Sequence, residues 1–216
     1  HRAKLALFGE LSYNHEFSHS QFIAMMRMLY PQGNDELFYF LEEASDILRF
    51  VTMVHWRDWD FQWYIEGCCK YIHPPVGLLE FEDIIDFVFC PAMKGSGVLS
   101  IHESCTNPHA DGIHPIEIAT LLQERSEKIL AYTEKQRNEA YDEMWEMVED
   151  IHSLALLGYY YSQKIEAAYR LGRSKITGRE DEKIFVLLEK GAKTFKEYAN
   201  LIHARYRPQR FARLCS

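Results

Sequence analysis

Residues 142–172 read D-E-M-W-E-M-V-E-D-I-H-S-L-A-L-L-G-Y-Y-Y-S-Q-K-I-E-A-A-Y-R-L-G, and this stretch decides the fold. It contains no proline, and its small or apolar side chains return every three or four residues, which is the period of one helix face. The pattern predicts a helix from about residue 138 to 172, roughly 50 Å long at about 1.5 Å per residue. Its inward stripe consists of Met144, Val148, Ile151, Ala155, Gly158, Ile165 and Tyr169.

Three more helices are predicted, two before this one in the chain and one after it. The motif His114-Pro115 predicts a helix start, because proline suits the first helical turn. Residues 180–205 predict a fourth helix, and the short connection at residues 173–178 favours antiparallel neighbours. We therefore predict an all-α fold, an antiparallel helical bundle with an irregular, aromatic-rich middle segment. Residues 34–54 predict one long helix whose apolar face is formed by Leu37, Leu41, Ala44, Leu48 and Val51.

The length of 216 residues and the hydrophobic content of 47% predict a single helical domain over 1–216. Within it we distinguish N-terminal helices at 1–54, an irregular aromatic and loop segment at 55–113, and a long-helix bundle at 114–216. Because the chain begins at His1 without methionine, we expect a fragment of a larger protein. The glycine of G-Y-Y-Y at 158–161 predicts close packing between helices.

Charge and cysteine content restrict the possible partners. With 32 acidic against 24 basic residues, the net charge of -8 provides no uniform basic field, so we expect neither nucleic acid nor membrane as a partner. The five cysteines are odd in number and lack C-x-x-C spacing, which predicts mostly free thiols. No motif for a cofactor is found, and we predict none.

The stretch N-H-E-F-S-H at residues 14–19 contains the zinc-protease signature H-E-x-x-H. That chemistry needs both histidines on one helix face, with the glutamate activating a water. However, Ser18 followed by Gln21 matches a capping box and places the helix start at Ser18. His15 and Glu16 then lie in a turn and only His19 lies on the helix, so we predict no metal here. A zinc-dependent hydrolase stays as a lesser alternative.

A second group of metal-ligand residue types lies within thirteen positions of the middle segment. The spacing matches no metal motif, and Asn107-Pro108 and Asp111-Gly112 are turn sequences. A polar loop is therefore the favoured interpretation, with a metal site left open. The group consists of His102, Cys105, His109, Asp111 and His114.

The segment V-H-W-R-D-W-D-F-Q-W-Y-I-E-G at residues 54–67 places three of the four tryptophans within eight residues. Flat aromatic faces beside carboxylates and an amide suit a carbohydrate or a similar polyol. A packed aromatic core is the alternative, and sequence spacing cannot establish a catalytic carboxylate pair, so no catalytic residue is assigned. The candidate substrate-binding residues are Trp56, Trp59, Asp60, Gln62, Trp63 and Glu66.

Several stretches, among them L-F-G-E-L-S-Y-N, W-R-D-W-D-F-Q-W-Y-I-E-G-C and Y-A-N-L-I-H-A-R-Y-R-P-Q-R-F-A-R, resemble the helical C-terminal region of α-glucuronidase-like bacterial glycoside hydrolases and related carbohydrate-active proteins. The resemblance implies a separate catalytic (β/α) barrel in the same protein, with this chain as its accessory helical domain. It also implies oligosaccharide and a second copy of the chain as candidate partners, and a periplasmic or secreted location. A helical protein-interaction or dimerisation scaffold is the alternative function.

Overall fold

In a computed structural model of the chain, the described residues are 2–56, 69–71, 79–81, 83–138 and 142–206. They confirm the all-α class, since nine helices and one small antiparallel hairpin are found among them. No helix in these ranges is both long and apolar enough to cross a bilayer. The helices are α1 (Arg2–Tyr13), α2 (His19–Leu29), α3 (Asp35–Ser45), α4 (Ile47–Val54), α5 (Ile84–Phe89), α6 (Ile101–Thr106), α7 (Pro115–Gln136), α8 (Asp142–Thr177) and α9 (Lys183–Arg205), and the strands are β1 (Cys69–Tyr71) and β2 (Leu79–Phe81).

The long helix α8 is the centre of the bundle. Its 36 residues span about 54 Å, and it packs along both α7 and α9 and also touches α3, α4, α5 and α6. The predicted stripe is confirmed, because Val148, Ile151, Ala155 and Ile165 are all at most 1% exposed. Burying this stripe on two sides is what makes the bundle one core, since apolar area removed from water is the main favourable term in folding.

Contacts between the helices show that α7, α8 and α9 run antiparallel. The end of α7 meets the start of α8, where Thr133 Oγ1 lies 2.8 Å from His152 Nδ1. The end of α8 meets the start of α9, where Arg170 Nη1 lies 3.0 Å from Asp181 Oδ2. At the other end of α9, Arg205 Nη2 donates to the Glu146 carbonyl at 3.2 Å.

Gly158 lies at a close approach of α8 to α4 and α7. A Cβ at this position would lie 2.5 Å from Ser126 Oγ and 3.0 Å from Ile47 Cδ1. Only glycine leaves room for this approach, which confirms the predicted helix packing at the G-Y-Y-Y run. Tyr161, the last residue of this run, is fully buried.

The predicted helix at residues 34–54 is divided in two at Asp46, so the prediction of one continuous helix was wrong. The Asp46 carboxylate lies 3.0 Å from Arg49 Nε and 3.5 Å from Arg125 Nη1. These arginines hold the pKa of Asp46 below its ordinary value, mainly through the hydrogen bond from Arg49. Leu48, which was predicted on the inward face, is 37% exposed, whereas the neighbouring Ile47 is fully buried.

Hydrogen-bonded caps fix the starts of several helices. Ser18 accepts from the Gln21 N–H while the Gln21 side chain accepts from the Ser18 N–H, which confirms the predicted capping box of α2. The same arrangement joins Ser100 and Glu103 at α6. Helix α6 was not predicted, although its S-x-x-E signal is present in the sequence.

The middle of the chain contains more regular structure than predicted. Strands β1 and β2 pair antiparallel, with Cys69 opposite Phe81, and α6 follows further along the chain. Helix α8 also continues five residues past the predicted end at Gly172, to Thr177. The turn into α9 begins at Gly178, whose φ of 68° is the left-handed conformation that ends many helices at glycine.

Candidate functional site

The bundle holds the start of the tryptophan segment firmly. His55, directly after α4, is fully buried and stacks on Phe87 of α5, with ring centroids 4.8 Å apart. The Trp56 N–H donates to the Pro91 carbonyl at 2.9 Å, and the Cys90 Sγ–H donates to the Trp56 carbonyl at 3.4 Å. Both backbone groups of Trp56 are therefore hydrogen-bonded to Cys90 and Pro91, directly after α5. The Trp56 side chain is half-buried.

Of the six predicted substrate-binding residues, Trp56 alone lies in the part of the chain that the structure describes. The interpretation of this segment as a saccharide contact therefore stays a prediction. The residues outside the described ranges are Trp59, Asp60, Gln62, Trp63 and Glu66.

An apolar groove of about 310 Å³ lies between α5, α8 and α9. The Tyr160 and Phe195 rings form one wall, with centroids 4.9 Å apart and planes at 48°. Lys164 Nζ lies 4.9 Å from the centre of the Phe87 ring, which in turn stacks on His55. The Phe87 ring therefore lies between Lys164 of the groove and His55 at the base of the tryptophan segment. Its lining residues are Ile84, Tyr160, Lys164, Leu187, Leu188, Gly191, Ala192 and Phe195.

A second cavity, hereafter the polar pocket, lies at the turn between α7 and α8 and has a volume of about 250 Å³. Its inner wall is an ion pair between Arg137 and Glu149, in which Arg137 Nε donates to Glu149 Oε1 and Arg137 Nη2 donates to Oε2 at 3.3 Å. The Glu149 side chain is 1% exposed, so this carboxylate depends on the arginine for its charge balance. The lining residues are Glu134, Arg137, Asn138, Trp145 and Glu149.

Behind this ion pair lies the buried imidazole of His152. Its Nδ1 is 2.8 Å from Thr133 Oγ1, and its Nε2 is 3.5 Å from Arg137 Nη1. Burial and the Arg137 charge lower the pKa of His152 below its ordinary value, although the Glu134, Glu149 and Glu197 carboxylates act in the opposite direction. No pattern in the sequence predicted this cluster, although Glu149 and His152 stand three apart beside the predicted apolar stripe of α8.

The H-E-F-S-H stretch has the geometry that the capping argument predicted. His15 and Glu16 lie in the turn before α2, their side chains are 92% and 84% exposed, and His19 is the first residue of the helix. His19 Nδ1 lies 3.1 Å from Glu42 Oε2 of α3 and so faces a different element. Among the described residues, no three His, Cys, Asp or Glu side chains form a group that suits a metal ion.

The second group of candidate ligands is dispersed, although the predicted polar loop is partly helix α6. The two ring nitrogens of His114 lie 2.7 Å from Ser104 Oγ and 3.2 Å from the Ala110 carbonyl. Cys105 is fully buried, and burial raises the pKa of its thiol to about 11. His102 packs against Phe89 with centroids 5.1 Å apart, while His109 and Asp111 are exposed.

Comparisons of the chain with protein-family models, with curated proteins and with solved structures find no match.

Proposed function

We propose that this chain is a helical accessory domain of a polysaccharide-degrading glycoside hydrolase, which supports a separate catalytic barrel and contacts saccharide through its tryptophan segment. The observation that carries the proposal is the anchoring of that segment at its first residues. Fully buried His55 and the doubly bound backbone of Trp56 give the aromatic residues that follow a rigid base.

A rigid base matters because ordering a binding segment costs affinity. A segment whose first residues are already held by the fold loses less conformational entropy when it binds, so more of its contact energy appears as affinity. The sequence that follows this base offers two further indole faces, Trp59 and Trp63, with carboxylates and an amide near them. This combination suits the alternating apolar and hydroxyl faces of a sugar.

The neighbouring apolar groove supports the same interpretation. Tyr160 and Phe195 present ring faces that suit the C–H face of a pyranose, and Lys164 brings a cation to the same groove. Lys164 of the groove contacts the Phe87 ring, which stacks on His55 at the base of the segment.

Docking to a further domain is supported by the first helix. None of the residues of α1 is buried, and its large apolar side chains are exposed, with Leu5 at 72% and Phe8 at 73%. An apolar stripe of this kind commonly marks a contact surface. In the proposed arrangement it faces the catalytic barrel of the same protein, where the resemblance also places the catalytic carboxylates.

The proposal is tested by calorimetric titration of the whole chain with neutral and uronic-acid-bearing oligosaccharides up to millimolar concentration. We expect the saccharide affinity of the chain to fall in Trp63→Ala and to stay unchanged in Tyr13→Ala, which removes a 95% exposed aromatic side chain far from the segment in sequence. Circular dichroism and thermal unfolding establish that both variants are folded. If the panel gives no heat with the wild-type chain, or if both variants bind equally well, the tryptophan segment has no saccharide role in this chain.

The alternative function, a dimerisation scaffold, is favoured by the same exposed face of α1. If α1 instead faces the catalytic barrel, the isolated chain should show no self-association through α1 in sedimentation velocity at micromolar concentrations. A dimer that dissociates in Phe8→Glu, with unchanged thermal unfolding, would instead assign α1 to self-association.

A further inference from the structure

We propose that the polar pocket at the α7–α8 turn is a second saccharide subsite, which takes one neutral sugar unit and discriminates against sugars that carry a carboxylate. The inference rests on the proposed function for its ligand class. It concerns a different surface, because the pocket is lined by α7 and α8 residues and by none of the candidates in the tryptophan segment.

The pocket combines one flat ring with several hydrogen-bonding groups. Trp145 is 39% exposed and lies beside the carboxylate of Glu134 and the amide of Asn138. An indole face covers the C–H side of a pyranose, while a carboxylate accepts from hydroxyls and an amide both donates and accepts. The volume of about 250 Å³ is smaller than pockets for drug-sized ligands, so it matches a single ring rather than a longer chain.

The charge balance of the pocket determines which sugar it prefers. Arg137 and Glu149 neutralise each other through their double hydrogen bond, and nearby Arg205 is paired with Asp150 at 2.9 Å. Among the lining residues that the structure describes, Glu134 is the charged group with no ion-pair partner, so the summed charge of these five residues is negative. A uronic acid brings a second negative charge into the same space, and like charges at close range disfavour binding.

Two of the lining side chains, Arg137 and Trp145, are held by contacts on the side away from the pocket. Thr133 and His152 support Arg137 from behind, and the Arg205 guanidinium lies over the Trp145 ring, 5.7 Å from its centre. Groups that are already fixed lose little entropy on binding, so a small pocket with few contacts can still select its ligand.

The test is a titration of the whole chain, followed by NMR at the Trp145 indole N–H and the Asn138 side-chain amide. The ligands are a neutral monosaccharide or disaccharide series and the matching uronic acids, at millimolar concentration. We expect the neutral sugars to shift both signals and to bind more tightly here than their uronic counterparts. Glu134→Ala should weaken neutral-sugar binding by about fivefold, since it removes one hydrogen-bonding partner.

A second variant tests the role of the Glu134 charge. Glu134→Gln keeps a hydrogen-bond acceptor and removes the charge. It should therefore reduce the difference in binding affinity between neutral sugars and uronic acids. Glu127→Gln, an exposed position on the same helix, is the matched control and should change neither affinity. Glu134 and Glu127 both have exposed side chains, so we expect these variants to fold.

Three results would overturn the inference. They are the absence of shifts at Trp145 and Asn138 with every neutral sugar, binding of uronic acids at least as tight as that of neutral sugars, and unchanged binding in Glu134→Ala. The two sites are separable, because Trp63→Ala should leave the Trp145 and Asn138 shifts intact, while Glu134→Ala should leave binding at the tryptophan segment intact. Failure at one surface therefore does not imply failure at the other.

Discussion

The buried His152 has a hydrogen-bond arrangement that only its neutral form satisfies. Arg137 is a donor on every nitrogen, so it can donate to Nε2 only when that atom carries no proton. Nδ1 then carries the proton and donates to Thr133 Oγ1, whose own hydroxyl donates to the Ile129 carbonyl at 2.9 Å. Protonating Nε2 would place two donors and two positive charges against each other in a buried space.

This arrangement predicts a loss of stability on mild acidification. In the unfolded chain the pKa of a histidine is about 6.5, and the fold lowers that of His152. As the pH falls below about 6.5, the unfolded state therefore binds a proton that the folded state resists, and the free energy of unfolding decreases. The decrease amounts to about 1.4 kcal/mol for each unit by which the two pKa values differ.

The measurement is urea unfolding from about pH 7 to about pH 5, above the range in which carboxylates take up protons. His152→Asn keeps a donor near the Nδ1 position and cannot titrate, so its unfolding free energy should fall less over this interval. His109→Asn, at an exposed position, should follow the wild type. Parallel curves for wild type and His152→Asn would contradict the prediction.

At the residue scale, the sequence predicted local interactions better than contacts between distant residues. The Ser18 capping box was predictable because its two partners are three residues apart. The Arg137–Glu149–His152 cluster was not, because it exists only once α7 and α8 are packed together. Sequence likewise named Trp56 as a candidate, but its backbone contact to Pro91 depends on how α5 returns to α4.

At the scale of elements, two glycines on the faces of α8 and α9 have different roles. A Cβ on Gly158 would lie 2.5 Å from Ser126 Oγ, whereas the nearest atom to a Cβ on Gly191 is Tyr160 Cδ2 at 3.5 Å. The first distance is a clash and the second is an ordinary contact. Both glycines lie inside helices, where alanine is intrinsically favoured by about 1 kcal/mol.

Gly158→Ala is therefore expected to destabilise the fold by about 1–2 kcal/mol, because overpacking outweighs the gain in helix propensity. Gly191→Ala should be neutral or stabilising by up to about 1 kcal/mol. Chemical denaturation of both variants gives the comparison. Adding Ser126→Ala to Gly158→Ala removes the clashing oxygen and should restore part of the loss, and equal effects of the two glycine substitutions would refute the packing argument.

The helices that were predicted correctly have long apolar stripes and clear starts. α7 begins at Pro115, and the Leu122 and Ile129 side chains on its inward face are fully buried. The break at Asp46 was missed because the apolar spacing continues across it. Its ion-pair partners are Arg49 and, on α7, Arg125, and the second contact exists only in the folded chain. Six-residue α6 was missed because its polar sequence has too few turns to show a period.

In the molecule as a whole, α8 and α1 occupy opposite extremes of packing. The α8 side chains of Ile151, Ala155, Tyr161 and Ile165 are fully buried, and helices on several sides cover them. No residue of α1 is buried, and the helix packs on α2 through small or partly buried side chains such as Ala3, Ala6 and Leu7. Local stability should follow this difference, because opening α8 exposes the core and opening α1 does not.

Native-state hydrogen exchange can measure this difference directly. We expect amides of α8 between Ile151 and Ile165 to exchange only through global unfolding, with an opening free energy equal to that from denaturant. Amides of α1 should open locally at a free energy at least about 2 kcal/mol lower, because few apolar contacts are lost.

Equal protection of α1 and α8 would mean that α1 is covered in solution. A tenfold dilution then separates the two explanations: protection that falls with dilution identifies a second copy on Leu5 and Phe8, whereas unchanged protection means that the contacts of α1 within its own chain are stronger than its exposure indicates.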